Sequence, residues 1–374
     1  MSGQEGLRVV VRIPLGSRAG GMPSEGVVRA DAAAFEAYAE AVAAEIGTYA
    51  VDVDSVSGDG DCAISSVYLH GLDPFACGTR GIAGILDALR GVFGLAPDAE
   101  VLADVLPGSL DAAKLDAFRC AGGTRVVVTM LTSQGAEVKA LARPCDASDV
   151  RNTFELLTKE GFPEYGAALG FGLPRQTPAS FAASLHDAYF YAPEFVELRP
   201  WGRGADRWPE GAEAAPPLEA RARMLEEAER FLVPYAYRRE TDLLFARRGH
   251  APRALSPKAG DVIELGLGGV SVFRGALTRN TSDLGVYLSS SSDPSAVCES
   301  AGELDDRQAS LIRAARGLCS TDGAADKEAV AHAEEFARLA SEGVAVKDGG
   351  VWRLSRKAFA APIDPLAYIL RPAR

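Results

Sequence analysis

The sequence predicts an α/β fold built on a parallel sheet. Three observations carry this. Short β-branched runs alternate with amphipathic helices about six times along the chain. Of the 374 residues 47% are hydrophobic and 24% charged, the balance of a globular protein with a sizeable core. The length suits one large domain with a smaller one beside it. Repeated strand–helix alternation implies right-handed crossovers and a parallel sheet. A doubly wound sheet and a partial barrel both satisfy that pattern.

The elements run as follows. Leu7 to Ile13 (LRVVVRI) is a strand, followed by a helix with Asp31 as N-cap and Phe35, Tyr38, Val42 and Ile46 on one face. Ser66 to Leu69 is the second strand and Ile82 to Val92 an apolar helix. Glu100 to Asp104, Arg125 to Thr129, Gly166 to Gly170 and Phe195 to Leu198 read as further strands. Val150, Phe154 and Leu157 mark a helix that Gly161 ends, and Leu218, Leu225, Ala228 and Leu232 mark another. Arg203 to Pro217 is rich in Gly, Pro and charge, and reads as a long loop. Beyond about Ser290 the character changes. Helices over Asp305 to Gly317 and Lys327 to Ser341 precede two short strands around Asp348-Gly349-Gly350, a hairpin turn, which together suggest a winged-helix-like module.

Charge and composition exclude several function classes. Acidic residues outnumber basic ones, 51 to 39, which disfavours a nucleic-acid binder or a membrane-surface protein. MSGQEGLRVVVRIPLG lacks the signal-peptide pattern and no apolar run reaches the length of a membrane span, so a cytoplasmic protein is expected. The six cysteines (Cys62, Cys77, Cys120, Cys145, Cys298, Cys319) show no CxxC spacing and read as buried or incidental thiols.

A series of segments resembles one family. AISSVYLHGLDPF, LPGSLDAAKLDAFRCAGGTRV, VKALARPCDASDVRNTFELLTKEGF, GFGLPRQTPASFAASLHDA, FARRGH and IELGLGG occur in this order. They resemble the corresponding strands and turns of the radical-SAM oxygen-independent coproporphyrinogen III oxidases and their heme-chaperone relatives. The resemblance runs from about Val9 nearly to the C-terminus. It implies a partial (β/α)6, TIM-like barrel over residues 1–235, a barrel-covering connection over 236–290, and a helical, winged-helix-like module over 291–374.

The functional positions of that family are altered here. In the family, Ile-Pro is followed by a CxxxCxxC motif whose thiolates hold a [4Fe–4S] cluster, and the cluster chelates S-adenosylmethionine. Here Ile13-Pro14 is followed by LGSRAGGMP, which puts Gly16, Gly20 and Pro23 at the three cysteine positions. None of these side chains offers a ligand atom. The family's GGGTP cosubstrate loop is His70-Gly71-Leu72-Asp73-Pro74. Its acidic residue before the third-strand turn is Asp104. Thr129-Met130-Leu131-Thr132-Ser133 stands for its GVQSF, and Cys145 for the histidine after Gly-Arg. Ala254, Leu255, Lys258 and Ala259 replace the HNxxYW segment. The expectation is therefore no [4Fe–4S] cluster and little affinity for S-adenosylmethionine.

Candidate ligand residues follow. His70 lies at the C-terminal end of a barrel strand, where such folds place ligands, and could bind heme iron with Cys77 nearby; alternatively it fills the vacated pocket. Gly71, Asp73, Pro74, Asp104 and Thr129 complete the remnant pocket. His70, Asp73 and Asp104 are also acid–base candidates for a different reaction. Arg247, Arg248 and His250 suit carboxylates, or form a solvated basic loop. Arg125, Arg175 and Arg199 either line an anion site or pair with carboxylates. His186 and His332 read as structural residues on helices. Gly266-Leu267-Gly268-Gly269 lacks the lysine and spacing of a phosphate loop. The leading expectation is a protein that has lost radical chemistry and retains binding of heme or another tetrapyrrole, or of a partner through the C-terminal module. The alternatives are an enzyme of a different reaction or a scaffold subunit for an intact homologue.

Overall fold

The computed structural model describes residues 6–16, 28–50, 63–141, 145–201, 214–241, 243–257 and 260–361. Gly20, Pro23, Cys62, Lys258, Ala259 and most of the 203–217 loop therefore lie outside the described residues.

Six βα units form the first two thirds of the chain. They are β1 (Leu7–Ile13) and α1 (Ala32–Thr48), β2 (Ile64–Gly71) and α2 (Gly78–Phe93), β3 (Leu95–Val105) and α3 (Ala112–Cys120). Next come β4 (Arg125–Leu131) and α4 (Ala147–Lys159), β5 (Tyr165–Phe171) and α5 (Pro178–Phe190), and β6 (Phe195–Pro200) and α6 (Leu218–Leu232). Local chemistry starts these helices, at Asp31 as expected and at two caps the structure adds. Asp31 accepts the Ala34 amide at 2.9 Å, and Thr177 and Asp146 each open a helix with a reciprocal capping box. Gly161 leaves α4 at φ +59°, the left-handed turn expected of it.

Strands β1 to β6 lie side by side, parallel and in chain order. That order settles the choice the periodicity left open. A doubly wound sheet must reverse direction at a switch point, whereas right-handed crossovers in unbroken order put every helix on one face and curl the sheet. Side chains divide accordingly. Val9, Val67, Val101, Val126, Ala167 and Val196 join the large core under the helices, while Tyr68, Leu102, Val127, Ala168 and Phe195 form a separate cluster on the concave face. The fold is a partial (β/α)6 barrel.

The sheet continues past both ends to twelve strands. At the β6 edge, β7 (Tyr237–Thr241) and β8 (Leu244–Arg247) add antiparallel. The chain then crosses the concave side to β9 (Val262–Leu265), which pairs parallel with β1. Strands β10 (Val270–Phe273), β11 (Ala276–Asn280) and β12 (Cys298–Glu303) extend that edge antiparallel. The crossing segment is pinned from the barrel. Glu100 accepts the Arg253 and Ala254 amides at 3.1 and 2.9 Å, and Arg8 donates to the Ser256 carbonyl at 2.6 Å.

The C-terminal part comprises α7 (Asp306–Leu318), α8 (Asp326–Ala331), α9 (Ala333–Ser341), a hairpin of β13 (Ala345–Asp348) and β14 (Val351–Leu354), and α10 (Arg356–Ala360). A short strand at Ala324–Ala325 pairs with β14, completing a winged-helix-like arrangement. Gly349 and Gly350 have φ of +57° and +82°, the two positive values that a tight two-residue hairpin turn needs. The single helix expected over Lys327 to Ser341 is broken at His332. That buried side chain contacts Ser310 Oγ at 3.0 Å and holds the backbone out of helical geometry between α8 and α9.

Candidate functional site

Residues two apart on a strand share a face, so Tyr68 and His70 on β2, Leu102 and Asp104 on β3, and Glu197 and Arg199 on β6 all enter the concave side. At the C-terminal mouth they converge on Asp104, whose carboxylate is fully buried. It accepts from Tyr68 Oη at 2.8 Å, from the Gly71 amide at 3.0 Å and from Arg199 Nη2 at 2.7 Å. His70 Nδ1 lies 2.8 Å from Oδ2 and must be the donor, because a carboxylate only accepts. Arg199 also binds Glu197 at 2.8 Å and Tyr68 Oη at 2.8 Å. Burial alone would raise the Asp104 carboxyl, but the Arg199 guanidinium and the His70 ring outweigh it and hold Asp104 well below the usual carboxylate range. Arg199 is likewise held protonated: its desolvation is more than offset by Asp104 and Glu197.

With Nδ1 committed to Asp104, Nε2 of His70 is left without a hydrogen-bond partner among the described residues. The side chain is 30% exposed, on the wall of a cavity of about 360 Å³. Leu198, Leu244, Leu255 and Pro257 make its apolar walls, Glu197 and Arg199 its polar side, and Phe359 and Cys319 from the C-terminal part close it. A mostly apolar cavity with a few convergent polar groups is the usual form of a small-molecule site. A carboxylate that fixes the tautomer of an imidazole is also the usual second partner of a metal-binding histidine. Another cavity, of about 280 Å³, lies on the outer surface between α4 and α5 and includes His186 and Phe190. Thr132 on its wall belongs to a buried polar network with Glu137 and Ser184, at 2.6 and 3.1 Å, but among the described residues that network holds no imidazole or guanidinium.

Several sequence candidates fall elsewhere. Asp73 turns away from His70 toward Ser109 and Lys114, and burial raises its carboxyl. Cys77, considered a companion ligand to His70, is instead buried in the helix-side core, where burial pushes its thiol up to about 12. It is neither near the cavity nor a thiolate. Pro74 is buried at the first position of the turn Pro74–Cys77, and Thr129 Oγ1 donates to the Val105 carbonyl at 3.1 Å. Gly71 serves packing: a Cβ there would sit 2.1 Å from the Ile13 carbonyl oxygen. Leu72, Leu106 and Cys145 form a small apolar cluster at the mouth. Gly16 lies in a short strand, Leu15–Gly16, beside Val28–Arg29.

Arg125, Arg247, Arg248 and His250 gather at the opposite end of the barrel. Arg125 binds Glu100 at 3.2 Å and Glu164 at 2.8 Å, and donates to the His250 carbonyl at 2.7 Å. His250 Nδ1 lies 3.4 Å from Glu164. Of the two readings for Arg125, pairing with carboxylates of the protein is the one seen, and His250 sits beside one of the same carboxylates. Arg247 lies over the Tyr237 ring and Arg248 is exposed. Arg175 is also exposed, in the turn before α5 at φ +65°. The Gly266–Gly269 amides are occupied: Glu45 takes Gly266 at 2.8 Å, Tyr38 takes Leu267 at 2.8 Å, Thr281 takes Gly268 at 2.8 Å, and Gly266 takes Gly269 at 3.2 Å. They have nothing left for a phosphate. Sequence reading missed Tyr68 and Glu197, although each sits two residues from a named site residue on the same strand, which is the signal that could have found them.

Comparison with known proteins agrees with this architecture. No family model matches the chain. The heme chaperone HemW of Synechocystis is 26% identical over 196 residues, covering 51% of this chain and 47% of that protein. The mitochondrial radical S-adenosyl methionine domain-containing protein 1 of Bos taurus is 26% identical over 191 residues, covering 50% and 43%. The anaerobilin synthase of Escherichia coli O157:H7 is 30% identical over 122 residues, covering 33% and 27%. The chain spans about half or less of the length of these relatives. Among solved structures, coproporphyrinogen III oxidase (HemN) of Escherichia coli, a radical-SAM enzyme, superposes with a TM-score of 0.77 at 18% identity, covering 98% of this chain and 90% of that one. Among the described residues no helix is long and apolar enough to cross a membrane.

Proposed function

We propose that this chain, supported by its relatives as a HemN/HemW-like member of the radical-SAM group, no longer performs cluster chemistry and uses the mouth of its barrel to bind heme or a related tetrapyrrole. The observation that carries the reading is His70: its Nδ1 is fixed by a buried, ionised Asp104, its Nε2 has no hydrogen-bond partner among the described residues, and the side chain lines a largely apolar cavity of about 360 Å³. Neutral imidazole held in one tautomer is a good axial donor to heme iron. Bound heme would supply an iron centre; His70 would ligate it, Asp104 would keep the ring oriented, and Leu244, Leu255 and Phe359 would exclude water.

The residues present do not fit a [4Fe–4S] cluster. The cluster needs thiolates, and the sequence has no cysteine before Cys62, while the motif positions carry Gly16, Gly20 and Pro23. The Leu72, Leu106 and Cys145 cluster at the altered loop supports the companion reading that S-adenosylmethionine binds weakly or not at all. One geometric feature favours a second reading: an Asp–His pair is also a general base, so the cavity could serve a proton-transfer reaction.

Anaerobic reconstitution followed by iron and sulfide analysis tests the loss of the cluster. No stoichiometric iron and sulfide is expected; about four of each per chain overturns it. Titration with hemin tests the binding function. A saturable Soret band is expected, and its absence leaves the proton-transfer reading.

A further inference from the structure

We infer that Arg12 is a carboxylate anchor beside His70, so that the ligand of the mouth carries an acidic arm as well as a group for the imidazole. The inference rests on the mouth being the binding site and specifies the chemistry of what enters it. On β1, Leu7, Val9, Val11 and Ile13 are buried toward the helices, which puts Arg8, Val10 and Arg12 on the concave face. Arg12 is paired in register with His70 on the neighbouring parallel strand, so the two side chains leave the sheet side by side.

The neighbouring cations are already committed. Arg199 is held by Asp104, Glu197 and Tyr68, and Arg8 is bound to the carbonyls of Ser256 and Arg253. Arg12 differs from both. Its strand position is fixed by Tyr38, which donates to the Arg12 carbonyl at 2.7 Å, yet its guanidinium makes no hydrogen bond among the described residues. Its Nε is buried without a partner. Among the described residues its one ion pair, with Glu264, is 3.6 Å long, and the same Glu264 oxygen already accepts the Val270 amide. A fork-shaped donor that is 28% exposed and so loosely held is matched by a planar carboxylate, which would replace one long contact with two short, charge-assisted bonds.

The test compares three probes: hemin, hemin dimethyl ester with both acids capped, and metal-free protoporphyrin IX. Each is titrated against the wild type, Arg12→Gln and Arg12→Lys. Arg12→Gln should weaken hemin and protoporphyrin IX by about ten-fold, the effect of one charge-assisted pair, and leave the ester unchanged. Arg12→Lys should recover only part of the loss because it keeps the charge without the fork. Equal losses for acid and ester, or no loss for either, overturn the assignment while leaving the heme reading intact. Arg12-dependent protoporphyrin binding without a hemin signal keeps the anchor and removes iron ligation. A wild type that binds none of the three overturns both.

Discussion

The two ends of the barrel solve similar electrostatic problems with opposite outcomes. At the N-terminal end, Arg125, Glu100, Glu164 and His250 form an ion-paired group, and the chain crossing at 250–256 lies directly over it. At the C-terminal mouth, Arg199, Asp104, Glu197 and His70 form another, but here the histidine has one nitrogen on the carboxylate and the other toward a cavity. A charge network in a barrel is thus not by itself evidence of a site. What separates them is whether a polar atom is left over and has space in front of it. The base uses its charges to hold a covering segment; the mouth uses them to fix a histidine at the wall of a cavity.

Breaking each network should sharpen this contrast. Asp104→Ala leaves Arg199 buried without its main partner and should cost the most, about 3–5 kcal/mol in urea unfolding. Acid should act on the same interaction. The folded-state carboxyl of Asp104 is depressed well below its ordinary 3.8, so its contribution is fully present above 3.8 and is lost progressively as pH falls from there through the depressed folded-state value. The stability gap between wild type and Asp104→Asn should therefore narrow as the pH of the unfolding measurement is lowered from about 6 to about 3. An unchanging gap would mean that Asp104 gains nothing from its charge.

At the base, Glu100→Ala should cost less, about 2 kcal/mol, because Arg125 keeps Glu164. It should loosen the Arg253 and Ala254 amides, visible as faster hydrogen exchange there. Hemin binding should stay the same, and a loss equal to that of a mouth variant would erase the distinction between the ends. The smallest effect should come from Ala192→Gly, which relieves a left-handed conformation at φ +49° on an exposed residue and should stabilise by about 1 kcal/mol without touching either network.

Sequence and structure agree most where the physics is local. The six βα units are legible because their strands are short, largely buried apolar runs between amphipathic helices, the first of which opens on Asp31. Strands β10 and β12 escape because their residues are mostly half-buried or exposed, and CESAGE carries no hydrophobic alternation. At the site, His70 and Asp104 come from the family resemblance, while Arg199 could only be named as a strand-end cation. Its meaning depends on Asp104, which is 95 positions away and brought to it by barrel closure. The same holds for Cys77: close to His70 in sequence, it faces the opposite side of the sheet.

The central claim is that the mouth, through His70, is where this protein holds its ligand. Hemin titration of the wild type, His70→Ala and His250→Ala, followed at the Soret band, tests it most directly, since each histidine has its Nδ1 beside a carboxylate but only His70 is on the wall of the mouth cavity. The account expects a band that weakens and shifts in His70→Ala and is unchanged in His250→Ala. Identical spectra for the wild type and His70→Ala would contradict it and leave His70 as a side chain that only fills the mouth.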